Sequence, residues 1–597
     1  MGEPTQRDTL RSRVAIWAAA LLLYSALSLA ATWPLVRELG SSLPRGTDVS
    51  ATVPFASAWS LWWTADRVAA GFRNFWDAPI FFPTRQTYAF SEPLLLEGLA
   101  AAPLQWLGAT PVLALNLVLL AALVSNGAFA LALLRGLGLA PLAAVAGGAM
   151  LCLLPYVHHE LGVLTLVPLA GVLATLHALL AFSRRATPMR GLRLGVAFAA
   201  AYLLCGQNAL FLALVAGPAA LCLVGRAQLA PRSLVGALVA AATAAVLLLP
   251  IASAQLEVRR THGFARSPRM SALGAAAPDA FWLTPTAPLL PFPGVRTAPD
   301  PNQRALFPGA LKLALALAGL AWGLRRADTR RFTAFLFAMA AGAVALSLLP
   351  GLQGGVAPIL WLRDWVPGLA QLRSFWRASM LMQVATALLA AAGIEALARA
   401  ARRPMHPAAR RAAGSLVIAI AVVASVELWP PATGLSPAPD REAWRPWLDW
   451  IEQHVPPGAA LVHLPVPASE AVADYEETAR AMLLATAHGR PLVNGYSSYF
   501  PRGYRAFGRF MRGCPTPAAW TVLHGVGLRA LSIRSSWLAA DPRCGPKEDL
   551  YRRTAVFPEL DVEVWEALSA SPAGPGDTRG APSATPRGGA STLRSAG

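Results

Sequence analysis

Hydrophobic and polar positions fall in long blocks along this chain: about eleven mostly apolar runs, separated by short charged turns or by long polar loops. The runs cover 14–35, 111–134, 140–154, 161–182, 194–205, 209–224, 234–251, 305–320, 332–349, 380–397 and 416–428. This pattern predicts a mainly α, polytopic transmembrane helix bundle. The first run exceeds the core of a cleavable signal and lacks a small-residue cleavage site, so it reads as a retained span behind a cytoplasmic N-terminus at 1–13. An odd number of crossings then leaves the C-terminus outside. The transmembrane domain, 14–429, carries three long outer loops at 37–93, 252–304 and 350–379. In the first, Trp59, Trp62, Trp63, Trp76, Phe81 and Phe82 suit amphipathic helices at headgroup level. The stretch 94–107, interrupted by Glu97 and Pro103, reads as re-entrant or interfacial.

Past Pro430 the pattern changes to turn residues, charge and alternating short elements. Helices are expected at 441–454 and 469–486, and strands at 460–466, 491–496 and 528–534, which makes 430–569 a small extracytoplasmic α/β domain. From 570 to 597 Gly, Pro, Ser and Thr dominate without apolar period, so a disordered tail is expected.

Composition sharpens this picture. At 55% hydrophobic and 14% charged, the chain is too apolar for a soluble protein. A net charge of +19 raises the question of nucleic acid, but the cations are almost all arginine and they punctuate the apolar runs. Arg7, Arg11 and Arg13 precede the first, and clusters at Arg184–Arg185, Arg325–Arg326, Arg330–Arg331 and Arg402–Arg403 all fall on the cytoplasmic side. Cys152, Cys205 and Cys222 lie within apolar runs as small core residues, whereas Cys514 and Cys544 lie in the outer region, where a disulfide would persist.

Candidate chemistry gathers on the outer side. Asp48 follows Pro44 and Gly46 beyond the first span, where a carboxylate takes a proton from a hydroxyl, helps hold a divalent ion, or simply caps the helix starting near Ser50. His158, His159 and Glu160 form the turn between spans three and four, either a functional cluster or an ordinary polar turn. Arg363, Arg373 and Arg377, in WLRDWVPGLAQLRSFWRAS, run against the positive-inside trend and ask for an anionic partner: a lipid phosphate, or Asp364. In AHGRPLVNGYSSYFPRGY, His488, Asn494, Tyr496 and Arg502 sit near strand ends where α/β domains bind ligands, although turn chemistry explains Asn494 equally well.

GTD ending at Asp48, the aromatic WSLWW and FWDAPIFFP, the arginine-bearing LRSFWRAS and the outer HGRPLVNGYSSYFPRGY together resemble the multi-spanning glycosyltransferases of the GT-C superfamily, in the group of RgtA/B/C/D-like and YfhO-like membrane proteins. The likeness covers most of the chain up to about Tyr504. It implies a bacterial inner-membrane enzyme that transfers a sugar from a polyprenyl-phosphate donor to an envelope glycan, lipid or protein acceptor on the outer face. Asp48 would then be the catalytic base, Glu92 a second carboxylate, and Arg373 and Arg377 the donor-phosphate ligands; His158, His159 and Glu160 remain candidate substrate contacts. The first loop lacks an Asp-Asp or Asp-Glu pair, which leaves a divalent cation as an open cofactor. Two other classes fit the same outer charges: a transporter or flippase for a lipid-linked saccharide, and an envelope assembly scaffold. Charges are scarce inside the apolar runs, which favours the enzyme.

Overall fold

The computed structural model describes residues 6–568 apart from 47, 301–302, 352–361, 364, 367, 403–405, 470, 512–514 and 542–543. The expected tail, Asp364 and Cys514 therefore lie outside the described residues. Cys544 is disulfide-bonded.

Each of the eleven apolar runs falls on a helix. Among the described residues nine helices are long and apolar enough to cross a membrane, and Ala310–Leu324 is apolar but shorter. The remaining run lies in Pro188–Leu204, a helix of 17 residues with Arg190 and Arg193 in its first turns. Starts are marked by proline in the first turn, as at Pro111, Pro141, Pro188, Pro231 and Pro407, where its missing N–H has no partner to lose. Small residues bring spans together: a Cβ on Gly319 would meet the carbonyl of Leu389, and one on Gly393 that of Leu315.

One helix departs from expectation. Pro231–His262 runs 32 residues, about 48 Å at the α-helical rise. The second outer loop thus begins with a helix that runs through Pro250 and projects past the apolar run, ending where Gly263 takes the left-handed conformation.

Eight strands complete the described structure: β1 (Ser42–Gly46), β2 (Leu283–Thr284), β3 (Arg296–Thr297), β4 (Gly434–Pro437), β5 (Ala460–Leu464), β6 (Leu528–Arg534), β7 (Tyr551–Phe557) and β8 (Val562–Ala567). The last four form a mixed sheet in the order β5-β6-β8-β7, with β5 and β6 parallel and the rest antiparallel. The strand expected at 491–496 is reduced to a single bridge between Leu461 and Leu492. Backbone groups there are used elsewhere: Leu492 donates to the Pro79 carbonyl, and the Asn494 and Leu492 carbonyls accept from Phe81 and Phe82.

That exchange shows where the first-loop aromatics go. Trp59, Trp63, Phe75, Phe81, Tyr88 and Phe90 are buried in one core with Trp447, Trp520 and the β5–β8 sheet, rather than lying on a membrane surface. The first outer loop and the C-terminal region are one packed body. β1 adds a second link by pairing antiparallel with β4, which follows the last span.

Candidate active site

The first loop is held from below by Asn116, whose buried amide donates to the carbonyls of Leu39 and Ser42, each at 2.8 Å. β1 then carries the chain to Gly46, which has φ +60° and packs directly on the turn after the third span. A Cβ there would stand 2.8 Å from the His159 carbonyl and 2.9 Å from the Leu161 amide. Only glycine fits both the conformation and the contact. This close approach puts Asp48 beside Glu160.

On the other side, the residues before span ten form a 3-10 turn, Phe375–Ala378, which presents Arg377. Tyr156 N–H donates to Gln383 Oε1 at 3.1 Å, and the His159 ring meets Trp376 edge-on at 5.8 Å, so the Pro155–His159 helix docks against the start of Ser379–Ala400. Arg377 Nη2 donates to Glu160 Oε2 at 2.6 Å, a largely buried pair. His159 Nε2 lies 3.9 Å from Glu160 Oε1.

Asp48 is exposed on one flank, yet enough protein surrounds its carboxyl to raise it from 3.8 to about 6. Burial is the largest cause and the Glu160 charge the second; Arg377 and then Arg373 pull it back. Those couplings locate both arginines around the carboxylate. Arg373 is itself exposed and has no ion-pair partner among the described residues. Tyr496, from the C-terminal region, feels both Arg373 and Asp48, and burial raises its phenol.

Other expected residues have different partners. Glu92 Oε1 accepts the Gln207 N–H at 3.0 Å and so caps Gly206–Ala219, where four N–H groups need acceptors. His158 Nε2 is bonded to the Cys152 carbonyl at 3.2 Å, where the third span breaks. Asn494 bonds both N–H and C=O of His463, at 2.6 and 2.8 Å, and Arg502 donates to the His262 carbonyl. His488 accepts from Arg490 N–H and stacks edge-on against Trp447. Arg363 donates to the carbonyl of Arg266.

Two further side chains reach the site unannounced by sequence. Arg304 sits over the Trp376 ring at 5.6 Å and donates to the Leu273 carbonyl at 3.0 Å. Its signal was an arginine on the outer side directly before an apolar run. Arg266 lies over the Tyr499 ring at 4.2 Å; nothing in its sequence neighbourhood marked it.

A divalent cation does not fit these donors. Glu160 is engaged by Arg377 and Glu92 by a helix end, and among the described residues no group of three His, Cys, Asp or Glu is arranged to hold a metal.

No family model matches the sequence, and no curated protein does. Among solved structures, the arabinofuranosyltransferase AftD from Mycobacteria superposes with a TM-score of 0.55 at 16% identity, over 92% of this chain and 40% of AftD. The chain shares the fold of the matched part of that membrane protein. It spans well under half the length of AftD. The Archaeoglobus fulgidus oligosaccharyltransferase (TM-score 0.46, 13% identity, 87% of this chain and 69% of that one) resembles it more loosely. So does ArnT from Cupriavidus metallidurans bound to undecaprenyl phosphate (0.45, 11%, 91% and 97%). At scores below 0.5 those two likenesses carry no further weight. The shared fold is a multi-pass membrane architecture, and the candidate residues gather at the loop-bearing end of the bundle.

Proposed function

We propose that the chain is a membrane glycosyltransferase that moves a sugar from a polyprenyl-phosphate donor to an envelope glycan, lipid or protein acceptor on the outer face of a bacterial inner membrane. The observation that carries this reading is the convergence of Asp48 with Arg373 and Arg377 from the opposite end of the membrane domain. In the reaction an acceptor hydroxyl attacks the anomeric carbon, the bond from that carbon to the phosphate oxygen breaks, and Asp48 takes the hydroxyl proton. The departing lipid phosphate gains a second negative charge, which the unpaired Arg373 guanidinium meets. Arg377, locked to Glu160, keeps positive charge behind that phosphate and fixes the turn that presents Arg373. Neither nucleotide nor dinucleotide-binding loop is needed, because a lipid phosphate already leaves readily.

Orientation follows from packing. Phe90 in the first loop, Phe264 beyond Pro231–His262 and the C-terminal sheet share one core, so they lie on one side of the bilayer. An even number of crossings must separate each pair. That requires Pro188–Leu204 to cross between Phe90 and Phe264, and Ala310–Leu324 to cross between Phe264 and the sheet, which restores eleven spans. The arginine clusters place the opposite side in the cytoplasm.

The test is to incubate purified protein in proteoliposomes with a panel of polyprenyl-phosphate sugars and follow both release of polyprenyl phosphate and movement of intact donor between leaflets. Release that depends on an acceptor supports the transferase. Leaflet exchange without cleavage would establish a flippase instead.

A further inference from the structure

A cavity of about 490 Å³ opens in the C-terminal region, away from Asp48, lined by β5, β6 and the helix Glu476–His488. Its size is ordinary for a small-molecule site, and it sits where such sites form in α/β domains, just beyond the carboxyl ends of adjacent parallel strands. His463 and Ser532 are register partners near those ends and both line it.

Three observations define what the cavity would accept. First, Ser532 is 3% exposed and its Oγ has no hydrogen-bond partner among the described residues; the same holds for the buried Nε2 of His463. Two unsatisfied polar atoms in residues of one lining favour a ligand rich in hydroxyls, since an apolar occupant would leave them stranded. Second, the lining charges cancel. Arg534 pairs with Glu477 at 2.7 Å and Arg480 lies 3.7 Å from the same carboxylate, with Asp474 adding a further negative group. No cation is left over for a phosphate or a carboxylate. Third, the half-buried indoles of Trp444 and Trp537 give flat apolar walls next to those polar atoms.

We infer that this cavity binds a neutral saccharide unit, with Ser532 and His463 bonding its hydroxyls and Trp444 or Trp537 covering a C–H face. Burial holds the His463 imidazole neutral, pushed down to about 4, so Nε2 offers one donor or acceptor and no charge. The inference does not depend on the transfer reaction, but the site is joined to it mechanically. Glu476, at the start of the helix that walls the cavity, accepts the Ala51 N–H at 3.1 Å, and Thr52 donates to the Val472 carbonyl at 2.9 Å. A sugar seated here would grip a glycan chain close behind the Asp48 loop.

Saturation-transfer NMR on the full chain in nanodiscs tests this with methyl glucoside, methyl mannoside, methyl arabinofuranoside and maltose as neutral probes and glucuronate as the anionic one. At least one neutral probe is expected to bind, about fivefold more weakly in Ser532→Ala, the worth of one hydrogen bond, more weakly still in Trp537→Ala, and unchanged in Asp48→Asn. Ser532→Ala deletes only an unpartnered hydroxyl, so its fold should persist. Binding of no neutral probe, binding of glucuronate alone, or binding that survives both cavity substitutions but is lost in Asp48→Asn would each overturn the assignment.

Discussion

At Asp48 the protein works against ionisation, through burial first and the neighbouring Glu160 charge second. The folded carboxyl binds its proton more tightly than an unfolded one, so ionising it costs folding stability as pH rises from 3.8 to about 6. A base is useful only when ionised. Transfer should therefore rise with pH along a limb centred near 6 and level off above it, read from kcat/KM against pH. Glu160→Gln removes the second cause and unpairs Arg377, so it should move that limb to lower pH; a limb that stays in place would detach Glu160 from the centre. Arg373→Gln should lower kcat/KM for the donor by roughly 10- to 100-fold, the worth of a charge-assisted hydrogen bond, and, by removing a charge that pulls the Asp48 carboxyl down, should move the limb to higher pH. Asp48, Arg373 and Arg377 stand out in sequence because each is a charge close to an apolar run. The Glu160–Arg377 pair was not legible: the residues lie 217 positions apart and no local pattern links them. The contact of Glu92 with the start of Gly206–Ala219 was not legible either, because an acidic residue in a loop looks the same whether it faces substrate or the end of a helix from another part of the chain.

Among the elements, β1 decides where the loop lies. Its pairing with β4 and the contact of Gly46 with the His159–Gly162 backbone fix the chain on both sides of Asp48. Gly46→Ala should cost about 1–2 kcal/mol for the left-handed backbone alone, and more for the clash, seen as a lowered melting temperature together with lost transfer. The ladder itself was invisible in sequence, since SLPRG and GLSP carry no alternation and lie almost 400 residues apart. The first-loop tryptophans show a related difficulty. Aromatic, weakly amphipathic segments beside a span read the same whether they meet lipid or a protein core, and here the β5–β8 domain supplies the core. The hairpin β7–β8 was missed as well, because its alternation is broken by the register shift between Arg553 and Ala555.

For the whole molecule, the apolar runs gave the bundle and its loop-bearing end almost completely, because span length is set by the bilayer and not by tertiary context. Lengths alone leave Pro188–Leu204 and Ala310–Leu324 undecided; in the proposed arrangement both cross. Cysteine introduced at Arg185, before Pro188–Leu204, should react with a membrane-impermeant maleimide only after the cells are opened. Cysteine at Glu559 should react from outside. Labelling of both from the same side would mean that an even number of crossings separates them, which would refute the eleven-span arrangement.

The central claim is that Asp48 acts in the chemical step at a site where arginines already hold the donor. Single-turnover transfer by Asp48→Asn, measured beside equilibrium binding of the polyprenyl-phosphate sugar, tests it most directly. The rate should fall by about 10²- to 10⁴-fold, the usual contribution of a positioned base, while donor affinity stays within a few fold of the native protein. A rate that does not change, or a loss of binding that accounts for all of the lost turnover, would contradict it.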